Sequence, residues 1–269
     1  MRFEIFVILM VGVILAAGCI SESEKITPEL VKDRTLMAVT NASSYSFKMV
    51  MEMTIKGEGL EGGTEAVLRI FGEGDVDLAN RKSRLALEME NPQIPGGTPE
   101  GVNTTLYFIG DTAYMEVFKT WISQRIENVD DVWSRQNQVQ IQSELLQDAK
   151  LELLADEEID GEAVYVLRVT PDKLKVLRYM MEQSKTNDFS SLSETELSAM
   201  SENLGKFSVT QWIRKDDYLP IRFKTLMEMS TDNSTVTMDM DMSISNYNKE
   251  FIIEPPSDAI DFEQMVSAV

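Results

Sequence analysis

Few residues in this chain have the chemistry to act on a substrate. It contains no histidine and one cysteine, Cys19. That removes Cys–His nucleophilic pairs, imidazole-ligated zinc and any internal disulfide. Carboxylates remain for proton transfer, and the adjacent ones are Asp130-Asp131, Asp156-Glu157-Glu158 and Asp216-Asp217. All three groups fall in stretches that read as turns, where solvated carboxylates are the default, so they are read as surface charge and not as acid–base sets. Asp239 and Asp241 share a strand face, yet nothing nearby supplies the six or more oxygens that Ca²⁺ takes. The glycine-rich "GEGLEGG" at 57–63 lacks the Lys-Ser/Thr of a phosphate loop. The expectation is a non-enzyme with no cofactor and no metal.

Methionine is the residue with informative spacing. Eight of the 17 methionines recur at two-residue intervals in three stretches: Met49, Met51, Met53; Met227, Met229; and Met238, Met240, Met242. A period of two is that of a strand, whose successive side chains point to opposite faces. In "STVTMDMDMSIS", 234–245, thioethers therefore line one face while Asp239, Asp241 and Ser243 line the other. Met is unbranched, polarizable and rotamer-rich; it suits a surface that accepts variable apolar shapes better than it specifies a jigsaw core. The expected ligand-binding set is these eight with Phe47, Phe223 and Ile244, and the expected ligand is a lipid or another hydrophobe. The same stripe is also compatible with ordinary core packing against helices. A Cu(I) site of soft thioethers is a third reading, which strand alternation makes unnecessary.

The elements that must position this stripe can be read along the chain. Thr27-Pro28-Glu29 caps a helix running to about Asn41, with Leu30 and Met37 expected on one face. Period two follows in "YSFKMVMEMTI", then in segments 66–72, 74–78, 83–90, 105–109 and 113–118, an antiparallel meander. The Pro- and Gly-rich stretch 91–102 connects two of them. A helix is expected over 138–149, a strand pair near 151–155 and 163–169, a helix after Thr170-Pro171 and a short one opened by "SETE" at 193–196. Strands at 206–214, 219–230 and 235–247 and a helix from Pro255 to about Val266 close the chain. The fold class is α+β: a curved antiparallel sheet with helices inserted midway.

Composition narrows the partners. The net charge is −20, from 45 acidic and 25 basic residues, which repels nucleic acid and anionic headgroups. Arg2 precedes an apolar run from Ile5 to Ala17, shorter than the about 20 residues a membrane span needs. This reads as an export signal over 1–18, a polar tether over 19–26 and one domain over 27–269. "LAAGC", Leu15 to Cys19, resembles a lipobox, which implies a lipid on Cys19 and a tether on the extracytoplasmic face; an uncleaved signal anchor is the alternative. One acyl chain holds only weakly, so a multi-chain anchor is expected. Three sequons, at Asn41, Asn103 and Asn233, are compatible with glycosylation on a cell surface.

The segment "QWIRKDDYLPIRF", 211–223, resembles a hairpin of the LolA/LppX superfamily of exported lipoprotein carriers and lipid-binding lipoproteins. "GEAVYVLRVTPD", 161–172, resembles the strand before it. "GDTAYMEVFKTWISQ", 110–124, is similar to an earlier hairpin ending in Trp, and "PPSDAIDF", 255–262, to a closing helix. The resemblance implies a half-open β-barrel wrapped around helices, with an apolar cavity for acyl or isoprenoid chains between sheet and helices. Trp121 and Trp212 are then structural residues of hairpins. A surface protein-interaction or sensor module, its cavity filled by its own helices, is the competing function; no protein partner can be named.

Overall fold

The computed structural model describes residues 25–57, 65–90, 101–117, 119–130, 149–184, 194–230 and 233–267, with the single positions 133, 139 and 146. Cys19 and most of the helix expected over 138–149 lie outside them. Helix α1 (Pro28–Thr40) leads into strands β1 (Ser44–Gly57), β2 (Glu65–Asp77), β3 (Lys82–Glu90), β4 (Val102–Ile109), β5 (Thr112–Val117) and β6 (Thr120–Arg125). After β7 (Lys150–Leu153), β8 (Glu157–Ile159) and β9 (Glu162–Thr170) come helices α2 (Lys173–Ser184) and α3 (Glu194–Asn203). Strands β10 (Leu204–Arg214), β11 (Pro220–Ser230), β12 (Ser234–Ser245) and β13 (Ile260–Asp261) and helix α4 (Phe262–Ser267) complete the chain.

All 13 strands among the described residues join one sheet, in the order β13-β6-β5-β4-β3-β2-β1-β12-β11-β10-β9-β7, with β8 on the side of β9. Neighbours are antiparallel except β13 on β6. The order is linear, so the sheet stays open and does not close into a full barrel. Consecutive strands β1 to β6 pair in turn on one flank; on the other, β10, β11 and β12 pair in turn, β9 joins β10 across the two helices, and β7 pairs β9, while β1 and β12 join the flanks at the centre. Helices α1, α2 and α3 pack on one face, here the inner face.

The main core forms where α1 meets the centre of the sheet. Val31 and Val39 of α1 pack with Tyr45, Val76, Leu167, Val209, Phe223 and Ile244. Val31, Thr35 and Val39, four residues apart, are the buried stripe of α1, not Leu30 and Met37; Met37 is 61% exposed. The β-branched residues are the ones that fit close against the pleated sheet. Thr27 caps the helix by accepting from the Leu30 N–H at 3.1 Å. A second core joins α2 to the sheet through Val176, Leu177, Leu204 and Met227, with Met200 of α3 packed against it.

Two expected boundaries differ. Segments 66–72 and 74–78 are one strand, because Gly72 and Gly74 are needed inside it. A Cβ on Gly74 would meet the Arg84 carbonyl oxygen and, at 2.9 Å, Cε1 of Phe47. These glycines let neighbouring side chains lie over the backbone instead of ending the strand. The final helix starts at Phe262, not Pro255, because Ile260 and Asp261 first extend beside Ile122 and Ser123.

Candidate ligand-binding face

Register decides whether the methionine stretches meet. In the β1–β12 ladder Met49 is opposite Met242, Met51 opposite Met240, Met53 opposite Met238, and Phe47 opposite Ile244. In the β12–β11 ladder Met242 is opposite Phe223, Met240 opposite Thr225 and Met238 opposite Met227. Met229 follows opposite Val236. Directly opposed residues share a face, so all eleven expected residues stand on the inner face of three adjacent strands. Ile70 and Leu68 of β2 extend the rows opposite Met51 and Met53.

The face is graded along its length. At the α1 end Phe223, Met242 and Ile244 are buried in the main core, with Phe47 and Met49 packed against it. Toward α2, Met227 is buried, and Met229 and Met238 pack beside it. Between these packed zones Met51, Met53 and Met240 are half-buried and belong to neither core. Thr225, opposite Met240, is buried with its hydroxyl unpartnered among the described residues. Among the described residues, the middle of the face is therefore the part that joins neither core.

The opposite face holds the charges. Arg222 donates to Asp241 through Nε at 2.9 Å, and Lys224 lies 3.2 Å from Asp239. The carboxylates alternating with the methionines are thus partnered across the β11–β12 ladder. Arg222 also covers the Trp212 ring at 4.9 Å, and the Trp212 indole donates to Glu157 at 2.9 Å. Trp121 stands edge-on to Tyr107, centroids 5.6 Å apart. Both indoles lie on the outer face, within their hairpins.

One carboxylate in each acidic group singled out by sequence is ion-paired, and Asp131 lies outside the described residues. Asp130 accepts from Arg81 at 2.6 Å, Asp156 pairs with Lys215, and Asp217 accepts from Arg214 at 2.6 Å. Burial pushes the Asp217 carboxyl up, but bonds from the Arg214 guanidinium and the Leu219 N–H outweigh it and hold the group below its ordinary range. Burial pushes the Tyr247 phenol well up, and its hydroxyl donates to the Pro220 carbonyl at 2.7 Å. No cluster of three or more metal-ligating side chains occurs among the described residues, and no described helix is long and apolar enough to cross a membrane. Asn41, Asn103 and Asn233 are exposed, and the Asn41 amide donates to the Met37 carbonyl at 2.9 Å.

A cavity of about 530 Å³ opens on the outer face, where Lys48, Val50, Phe71 and Ala86 are among its lining residues. Of the eleven expected residues, Met49 alone borders it. Sequence periodicity does not reveal this pocket, because its floor is made by short side chains at polar-face positions.

The chain is similar to LprF from Mycobacterium bovis, with 13% identity, TM-score 0.46, and coverage of 86% of this chain and 98% of that one. It is similar to lipoprotein LppX from Mycobacterium tuberculosis, with 14% identity, TM-score 0.45, and coverage of 85% and 100%. An outer membrane lipoprotein-sorting protein domain from Vibrio parahaemolyticus matches at 10% identity and TM-score 0.26, covering 84% and 95%. No curated protein matches the chain. A family model described as a family of unknown function, DUF6612, matches residues 27–264, and the protein belongs to that family.

Proposed function

We propose that the protein is a non-catalytic, membrane-tethered binder of a lipid or similar hydrophobe, held against the middle of the inner face. The observation that carries this reading is the half-buried group Met51, Met53 and Met240, flanked by Ile70 and Leu68 and left out of both cores. Flexible thioethers there adapt to a chain of varying length and branching. Phe47, Met49, Phe223, Met227, Met229, Met238, Met242 and Ile244 frame the site and fix the strands that carry it. The tether is Cys19, lipidated after removal of residues 1–18, on the extracytoplasmic side. Asn41 and Asn233 are the proposed glycan acceptors, both exposed, whereas Asn103 borders the outer-face cavity.

A second reading has its own support: Phe223, Met227, Met242 and Ile244 are 5% exposed or less, so much of the stripe is filled by the protein itself. An interaction module with a self-filled interior would look like this. Native mass spectrometry of protein purified from its own membrane separates the two. Copurifying lipid is expected; a bare polypeptide mass under conditions that preserve noncovalent lipid overturns the binder and favours the module.

A further inference from the structure

The outer-face cavity has a construction of its own. One cross-strand row runs Lys48, Glu73, Ala86, Thr105 through β1, β2, β3 and β4, and Glu116 of β5, next to the Leu106–Met115 pair, stands at its end. The two short side chains in its middle, Ala86 and Thr105, leave the sheet bare and form the floor. The longer side chains at either end form the rim. The next row supplies an apolar wall from Val50 and Phe71, followed by Glu88. Val50 is 46% exposed although it sits on a central strand.

The polar lining is unbalanced. Three carboxylates, Glu73, Glu88 and Glu116, face one ammonium, Lys48. Lys48 lies 3.8 Å from Glu73. Glu88 and Glu116 have no ion pair among the described residues. Arg84 stands in the adjacent row, opposite Asp75, and does not line the cavity. A hollow of about 530 Å³ falls in the range of small-molecule sites. An apolar wall beside uncompensated carboxylates selects a cation with a hydrophobic body.

We propose that this pocket is a second ligand site, separate from the inner face, that takes a small organic cation bearing an aromatic or branched apolar group. The ammonium lies between Glu88 and Glu116, and the apolar body lies over Ala86 against Val50 and Phe71. The proposal stands independently of lipid binding, since the two sites lie on opposite faces of the sheet.

The full-length protein in zwitterionic lipid nanodiscs is titrated with phenethylammonium, using calorimetry, beside uncharged 2-phenylethanol and anionic phenylacetate. Saturable one-to-one binding is expected for the ammonium, at least tenfold tighter than for either comparison compound. Ala86→Trp fills the floor and abolishes it, whereas Ala86→Ser retains it. Glu88→Gln with Glu116→Gln weakens it at least fivefold, and Met51→Ala on the inner face leaves it unchanged. Equal binding of 2-phenylethanol, undiminished binding by folded Ala86→Trp, or the absence of saturable binding to the native protein overturns the proposal. Copurified lipid is measured on the same samples, so loss of either site is seen apart from the other.

Discussion

Replacing Met51 and Met240 together by alanine separates a ligand face from a packed core. The two are directly opposed between β1 and β12, half-buried, and outside both core clusters. Full burial of a Met side chain is worth about 1.5–3 kcal/mol, so half-burial gives about 1 kcal/mol each. For a domain of this size, that lowers the melting temperature by about 2–4 °C per residue. Met242, 3% exposed in the main core, is different, because its truncation leaves a cavity costing about 2–5 kcal/mol. If Met51 and Met240 each give a bound chain about 1 kcal/mol of contact, the double variant loses about 30-fold in affinity. Thermal unfolding and native mass spectrometry of copurified lipid are run on wild type, Met51→Ala/Met240→Ala and Met242→Ala. The expected pattern is lipid lost in the double variant at about 1 kcal/mol of destabilisation per truncated residue, against about 2–5 kcal/mol for the single Met242→Ala. A double variant that melts as early as Met242→Ala and carries a wild-type lipid load refutes the reasoning.

Three further outcomes follow from particular contacts. Gly74→Ala should destabilise by about 2 kcal/mol or more, read by denaturant unfolding, because the new Cβ meets the fixed Arg84 carbonyl; a change under 0.5 kcal/mol would contradict the close approach. Tyr247 has a raised folded-state pKa, so its contribution to stability is complete below about pH 10 and is lost as pH climbs through the folded value; Tyr247→Phe should cost about 1 kcal/mol at pH 7 yet flatten the alkaline limb of the stability curve. Cys19→Ser should move the protein from the membrane fraction to the soluble one, and its continued retention would argue for an uncleaved apolar anchor.

How much of this was legible beforehand depends on the range of the signal. The stripe Met49–Met53 is visible because alternation is local, and its face is settled once the strand is recognised. That Met51 stands opposite Met240 is a fact of register between segments far apart in the chain, which periodicity does not encode. The face of α1 is misread from Leu30 and Met37 because side-chain size suggests burial, while Val31, Thr35 and Val39 are what the sheet accommodates. Gly72 and Gly74 look like breakers in one dimension and become spacers only when Phe47 and Met49 lie over them. The outer pocket is invisible for a related reason. Ala86 and Thr105 signal nothing alone, and the hollow exists because they are adjacent across a ladder.

The central ladder has a consequence for biogenesis. β1 emerges early and its partner β12 is nearly the last strand made, so no partly synthesised chain possesses the joined thioether surface. The β1–β6 flank pairs strand by strand as it appears, whereas the central junction must wait for an encounter between distant segments, the slow kind of contact. The joined methionine face thus arises in one late event, and a chain that still lacks β12 has no such face to offer.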